Sequence, residues 1–412
     1  MKFYFPDSQD QIDPGFDFLT EERDPRRIRQ RDDRYAHEVL TPAPYDGLLV
    51  SKTIVDGTAK ASTGKYTGAQ RHRLYSEGAQ EFFRLSNGAS TLEIMGDCGA
   101  FSYRDEPEPP YTIDEVIDFY DGCGFDHGIS VDHLIFDYDP SVKRVDERAT
   151  NWVRRQEITL QLAAEFRSRC RARGVTFNPI GVAQGWSPAS YAHAVAKLQQ
   201  IGYDRIALGG MVPLKTHEIL ACLNAVDDVR WPGTQLHLLG ISRCDDARSF
   251  ASRGVSSFDS TSPFRKAFKD ERDNYHTPDR TYVAVRVPQV GGNTRLKNRI
   301  QAGEIHQGQA IKLERAALEL LRRFDCDEVD LEPTLQALSD YSTLWGDKTD
   351  RTAAYRATLA DRPWRRCPCN ICQTVGIEVV LFRGSDRNKR RGFHNLYVFE
   401  QQLRHELGRD YK

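Results

Sequence analysis

From about residue 48 onward, short apolar and β-branched runs alternate with stretches of helical periodicity. LLVSKTIV (48–55), TLEIMG (91–96), HGISVDHLIF (127–136), VTFNPIGVA (175–183), RIALGG (205–210), QLHLLG (235–240) and VSSFD (255–259) read as strands. Between them, Thr112 followed by Glu115 forms a capping box that predicts a helix ending near Gly122. An arginine-rich pattern predicts a helix over roughly 146–172, stopped before Gly174. Ser187-Pro188 opens another that closes near Gly202, and Thr216 opens a third. Six or seven strand–helix units with short connections predict an α/β fold with a parallel sheet, closed as a (β/α)8 TIM barrel. No strand is followed by GxGxxG, which weakens the open dinucleotide-binding alternative.

The flanks differ from this pattern. Residues 1–45 read as a polar lead-in, in which EERDPRRIRQRDDR (21–34) forms a solvated helix or loop. TYVAVRVPQVGGNTRLKNR, near 278–300, breaks the alternation into a strand pair or arm, and a helix follows over about 303–324. Beyond Trp364 come cysteines, a basic stretch and the helical tail FEQQLRHEL. The expected organisation is therefore a lead-in (1–45), a barrel domain (46–360), and a small metal-binding subdomain with a closing helix (361–412).

Composition narrows the function. In 412 residues, 39% hydrophobic and 28% charged describe a globular chain. No run of about 18 apolar residues predicts a membrane span. MKFYFPDSQD leaves no room for a signal-peptide core, so a cytoplasmic location is expected. Lys+Arg 57 against Asp+Glu 59 gives a net charge of −2, which excludes a uniformly basic nucleic-acid coat. Two local basic groups remain. Arg362 to Arg391 holds eight basic residues against two acidic ones, including Arg387, Lys389, Arg390 and Arg391. Arg286, Arg295, Lys297 and Arg299 have no acid between them. Acid-poor patches of this kind point to phosphate contact.

In a (β/α)8 barrel, chemistry gathers at the C-terminal ends of the strands. Those ends offer Asp97, Asp137, Gln184, Gly209, Gly210, Gly240 and Asp259. Two carboxylates facing one centre suit glycosyl transfer: one attacks the anomeric carbon while the other moves the leaving group's proton. Glycines beside them bring a flat ligand to backbone N–H and C=O groups. Taken singly, Asp97 also reads as a turn aspartate and Gln184 as a partner for loop backbone. Asp259 is spared capping duty by Ser262 before Pro263. Cys367-x-Cys369-x2-Cys372, with His394 after 21 further residues, supplies three thiolates and an imidazole. That set closes a tetrahedral shell around a structural Zn²⁺. PCNIC has the deaminase form PCxxC, but no HxE precedes it; STGKYT (62–67) lacks P-loop spacing.

GDCGAFSY, VDHLIFDYD, GVAQG, RIALGGM, LLGIS, FDSTSPFR, CPCNIC and HNL occur in the order found in queuine/archaeosine-type tRNA-guanine transglycosylases, and over roughly 90–400 the chain resembles that family. The resemblance implies a TIM barrel with an inserted zinc-binding subdomain, exchanging a guanine in nucleic acid for a free 7-deazaguanine base. It implies that Asp259 is the nucleophile forming a glycosyl-aspartate and that Asp97 is the general acid/base. Phe101 and Leu239 would sandwich the base, Asp137 would accept from its N1–H and 2-amino group, Gln184 and the Gly210 backbone would donate to its O6, and the Met211 backbone would meet the C7 substituent, with Gly240 on the same rim. Cys367, Cys369, Cys372 and His394 would hold zinc. DCGAFS stands where the family has DSGGFQ, FDSTSPFR where it has FDCxxPTR, and no RNA-binding module follows His394. With the opening FYFPDSQDQIDPGFDF, these departures resemble the DNA-guanine transglycosylase branch (the DpdA branch) of 7-deazaguanine DNA modification systems. That branch implies DNA as substrate, 7-cyano-7-deazaguanine (preQ0) as incoming base, and partner proteins of the same gene cluster. Arg265 and the basic run's Arg387, Lys389, Arg390 and Arg391 are the expected nucleic-acid contacts. The alternatives are an enzyme acting on tRNA, and a non-catalytic zinc-containing partner subunit.

Overall fold

In the computed structural model, residues 1–57, 64–85, 92–347 and 349–409 are described. The start of STGKYT and Thr91 of TLEIMG lie outside them. Eight parallel strands close a barrel: β1 (Lys2–Pro6), β2 (Gly47–Ser51), β3 (Glu93–Asp97), β4 (His127–Ile129), β5 (Asn178–Ala183), β6 (Arg205–Leu208), β7 (Gln235–Leu238) and β8 (Val255–Asp259). The (β/α)8 expectation holds. Helices return the chain between strands, among them Ile113–Gly122, Thr150–Arg173, Pro188–Ile201 and Thr216–Asp227. Thr112 and Ser187 cap two of them as their sequence signals predict, and Gly174 ends the arginine-rich helix in the left-handed region (φ 61°). Successive strand residues face opposite sides. Tyr4, Leu49, Met95, Ile129, Ile180, Val182 and Ala207 therefore meet in one buried interior cluster.

The chain divides into two compact units, neither continuous in sequence: Met1–Gln9, Tyr45–Thr261 and Leu403–Lys412 form the first, and Asp10–Pro44 with Ser262–Gln402 the second. This differs from the division expected at residues 45 and 360. Lys2–Pro6 is no lead-in but a barrel strand, paired with β2 and β8. The 21–34 stretch contains no helix. The second unit carries long helices over Gln307–Asp325 and Leu331–Trp345, and all but the last residues of the helix Gly384–Glu406. The arm expected near 278–300 is a pair of short antiparallel strands, Tyr275–His276 with Thr281–Tyr282, followed by Val285–Arg286 alongside Leu381–Phe382. Among the described residues, no helix is long and apolar enough to cross a membrane.

The basic run sits within the second unit, and its placement corrects the expectation of a phosphate-binding face. Arg387 and Arg391 are 1% and 0% exposed. Arg387 Nη1 lies 2.6 Å from Glu21 Oε1, and its Nε bonds Glu378. Arg383 Nη2 donates to Glu21 at 2.6 Å and pairs with Glu314. Arg390 donates to the Asp13 carbonyl, Lys389 Nζ to the Gln11 carbonyl at 2.9 Å, and Phe18 lies under both Arg387 and Arg390. Among the described residues Arg391 meets no carboxylate; the Ala267, Val379 and Leu381 carbonyls and Asn388 take its N–H groups, and burial pushes its guanidinium down to about 9. The run binds residues 10–44 of its own chain. A guanidinium that enters the interior must find acceptors there, and this segment provides them.

Candidate active site and candidate metal centre

Strand register assembles the rim of the barrel. Ser51, the last residue of β2, is opposite Asp97, the last of β3. The Ser51 hydroxyl donates to Asp97 Oδ2 at 2.6 Å, and the Gly99 N–H reaches the same oxygen at 2.9 Å. Burial pushes Asp97 above the usual carboxylate range, the Asp259 carboxylate adds to the rise, and these two hydrogen bonds oppose it. Asp259 ends β8 and is buried. Its Oδ1 accepts from the Gly240 N–H at 3.0 Å and sits 3.2 Å from His237 Nε2. His237, next to the last residue of β7, has its other ring nitrogen 2.9 Å from Ser257 Oγ, directly across the β7–β8 register.

The third carboxylate on this rim is Asp132, not Asp137. β4 stops at Ile129, seven residues earlier than the apolar run HGISVDHLIF implies. Asp132 is 3% exposed and accepts from Gln184 Nε2 at 2.7 Å. Burial, aided by the Asp97 carboxylate and opposed by the Gln184 amide, pushes it up to about 7. Asp137 is exposed and accepts from Trp152 Nε1 at 2.8 Å. Sequence reasoning also passed over Ser51 and His237. The available signal was a polar residue within an otherwise apolar strand, at or next to its C-terminal end, where the alternation of the strand can aim it at the rim.

Gln184 follows β5 and is 1% exposed, with its Oε1 accepting from the Ile135 N–H at 3.2 Å. It fits because of the glycines after β6. A Cβ on Gly209 would stand 2.2 Å from Gln184 Nε2. One on Gly210 (φ +76°) would stand 2.2 Å from the Ile135 carbonyl. Met211 behind them is fully buried. Phe101 is 63% exposed on the short turn after β3, edge-on to Phe136, with Arg104 over both rings. Leu239 is half-buried and packs on the interior cluster.

In the second unit, Cys367, Cys369, Cys372 and His394 place one ligand atom each within 4.8 Å of one another. His394 Nδ1 lies 3.3–3.5 Å from all three sulfurs. Its Nε2 donates to the His276 carbonyl at 2.7 Å, which fixes the tautomer that presents Nδ1, and Tyr275 stacks on the ring at 4.1 Å. Three soft thiolates and an oriented imidazole form a closed tetrahedral set that can hold a metal ion. Arg265, by contrast, is an exposed side chain on the helix Ser262–Lys269.

A closed (β/α)8 barrel whose rim carries a buried carboxylate pair, an amide and paired glycines defines a barrel enzyme of the glycosyl-transferring type. No protein-family profile matches the chain. A DNA-guanine transglycosylase of Salmonella montevideo is 47% identical to it over 99% of this chain and 97% of that protein. The chain belongs to the DNA-guanine transglycosylase family, and the enzyme is a guanine transglycosylase.

Proposed function

We propose that the enzyme exchanges a guanine in DNA for a free 7-deazaguanine, preQ0, through a glycosyl-aspartate. The near full-length likeness to the Salmonella protein carries this reading. The rim geometry supports its chemistry. Asp259, anchored through Oδ1, attacks C1′ of the nucleotide as the C1′–N9 bond breaks; the bond pair leaves with the purine, which takes a proton from Asp97. Burial and the neighbouring Asp259 carboxylate raise Asp97 above its ordinary range, which suits it to give and take that proton. The incoming base then gives its ring N–H proton to Asp97, bonds to C1′ and returns the oxygen's electron pair to Asp259. Asp132 takes the part first expected of Asp137, accepting from N1–H and the 2-amino group. The Gln184 amide and the Gly210 N–H donate to O6, the Met211 backbone meets the C7 substituent, and Phe101 and Leu239 cover the faces of the base. Of the five basic residues expected at the nucleic acid, the exposed Arg265 keeps a role in phosphate contact. Cys367, Cys369, Cys372 and His394 would hold a structural zinc, whose part is folding energy rather than chemistry.

The test offers labelled preQ0 with guanine-containing DNA and tRNA in parallel, and looks for a protein–nucleic acid adduct on denaturing gels. DNA should take up label and form the adduct. D259A should do neither, and D97N should turn over about 10²–10⁴-fold more slowly. An adduct in D259A would refute the covalent route. Incorporation into tRNA alone would refute DNA as substrate, and uptake of guanine but not preQ0 would refute the choice of base.

A further inference from the structure

We propose that His237 is a positioning residue for the nucleophile, holding Asp259 through Oδ1 so that one carboxylate oxygen stays in line with C1′ through both halves of the exchange. The inference rests on the glycosyl-aspartate reading above. Asp259 has two described contacts, from the Gly240 N–H and from His237, and both fall on Oδ1. A carboxylate held at one oxygen presents the other as its attacking atom.

The imidazole has little freedom to do anything else. It is 3% exposed, lies across from Ser257, and meets the edge of the Tyr4 ring at 6.0 Å. With Nε2 directed at a carboxylate, Nε2 carries the hydrogen. A neutral ring then accepts the Ser257 hydroxyl hydrogen at Nδ1, and that bond fixes both tautomer and ring angle. Ser257 and Asp259 alternate on the same face of β8, so one strand supplies both ends of the chain Ser257–His237–Asp259.

The arrangement suits exchange more than simple attack. When Oδ2 bonds to C1′, Oδ1 becomes the carbonyl oxygen of the ester and keeps its two donors. When the incoming base displaces the ester, the C1′–O pair returns to the carboxylate, and the same donors stabilise the returning charge. They slightly blunt the first attack and assist the second departure. A reaction that forms and breaks the same bond runs best when those two steps are balanced.

The test compares H237L with H237Q, with D259A as the control, by steady-state incorporation of labelled guanine into DNA. Glutamine carries its amide nitrogen as many bonds from Cα as histidine carries Nε2, so it restores the donor without the ring. H237L is expected to lower kcat about 10- to 100-fold with KM for the free base unchanged, and H237Q to recover most of that loss. Melting temperatures separate a folding defect from a positioning one, because H237Q and H237L both lose the packing of the ring. Wild-type kcat in H237L, or equal losses in the two variants, overturns the inference. Exchange surviving in D259A overturns the covalent reading itself, and is a separate result.

Discussion

Asp132 is buried on the barrel rim and holds its proton to about pH 7, whereas an ordinary aspartate ionises near 3.8. Between these two values the native protein retains a proton that the unfolded chain has lost. Stability therefore falls as pH rises through that window, by 1.36 kcal/mol per unit, to a total of about 4 kcal/mol above pH 7. D132N cannot ionise, and its carbonyl oxygen still accepts from Gln184 Nε2. Its stability advantage over wild type should grow by roughly 3 kcal/mol between pH 5 and pH 8. Base binding should move the other way. Above pH 7, where Asp132 is ionised and accepts from both donors, an amide sets its own N–H against the N1–H or 2-amino group of guanine, costing about 1–3 kcal/mol, or about 5- to 150-fold in affinity. The assays are denaturant unfolding at the two pH values and calorimetric titration with free guanine. D137N is the control, because Asp137 is exposed and bonds only Trp152 among the contacts described; both readouts should stay within about 0.5 kcal/mol of wild type. A pH-independent stability difference in D132N refutes the electrostatic argument. Lost base binding in D137N, with normal binding in D132N, restores the first assignment.

C369S should release bound metal and lower the stability of the second unit, because a closed thiolate shell contributes folding energy; elemental analysis showing full occupancy would contradict the ligand set. Burial alone would raise Glu21, yet its bonds from Arg383, Gln289 and Arg387 bring it down to about 2, so its contribution is present above its ordinary 4.5 and is lost as pH falls below it. E21A removes the half-buried carboxylate that Arg383 and Arg387 share while leaving them Glu314 and Glu378, and should cost about 1–3 kcal/mol at neutral pH, seen as protease cleavage within residues 10–44.

The barrel was legible in the sequence because its strands are apolar and punctuated, and caps such as Thr112 and Ser187 act locally. What escaped depended on distant residues. Phe3, Tyr4 and Phe5 belong to a strand only because β2 and β8 flank it, and five residues beside a polar stretch give little periodicity to read. HGISVDHLIF is uniformly apolar enough to be one strand. The ladder nonetheless stops at Ile129, and the buried backbone beyond it is satisfied by side chains: the His133 N–H by Thr159, and that of Ile135 by Gln184. That substitution shifted the rim carboxylate by five positions. Asp97 and Asp259 stand at strand ends and Cys367, Cys369, Cys372 and His394 come together as read from the sequence, because strand ends and spacings mark such residues directly. The arginines at 387–391 were misplaced because charge alone does not say whether its counterions are solvent, phosphate or the chain's own carboxylates.

The discontinuity of both units sets an order on their assembly. As the chain is synthesised, β1 emerges first but has no second neighbour until β8 appears some 250 residues later. Residues 10–44 wait longer still, for the arginines at 383–391. Neither structure closes by local contacts, so folding runs late and through long loops, with strand edges and unneutralised charges exposed in the interval. It also means that residues 1–44 are not a removable leader. A chain trimmed at that point would lose a stave of the barrel, and Arg383, Arg387 and Arg390 would lose acceptors that only the N-terminal segment provides.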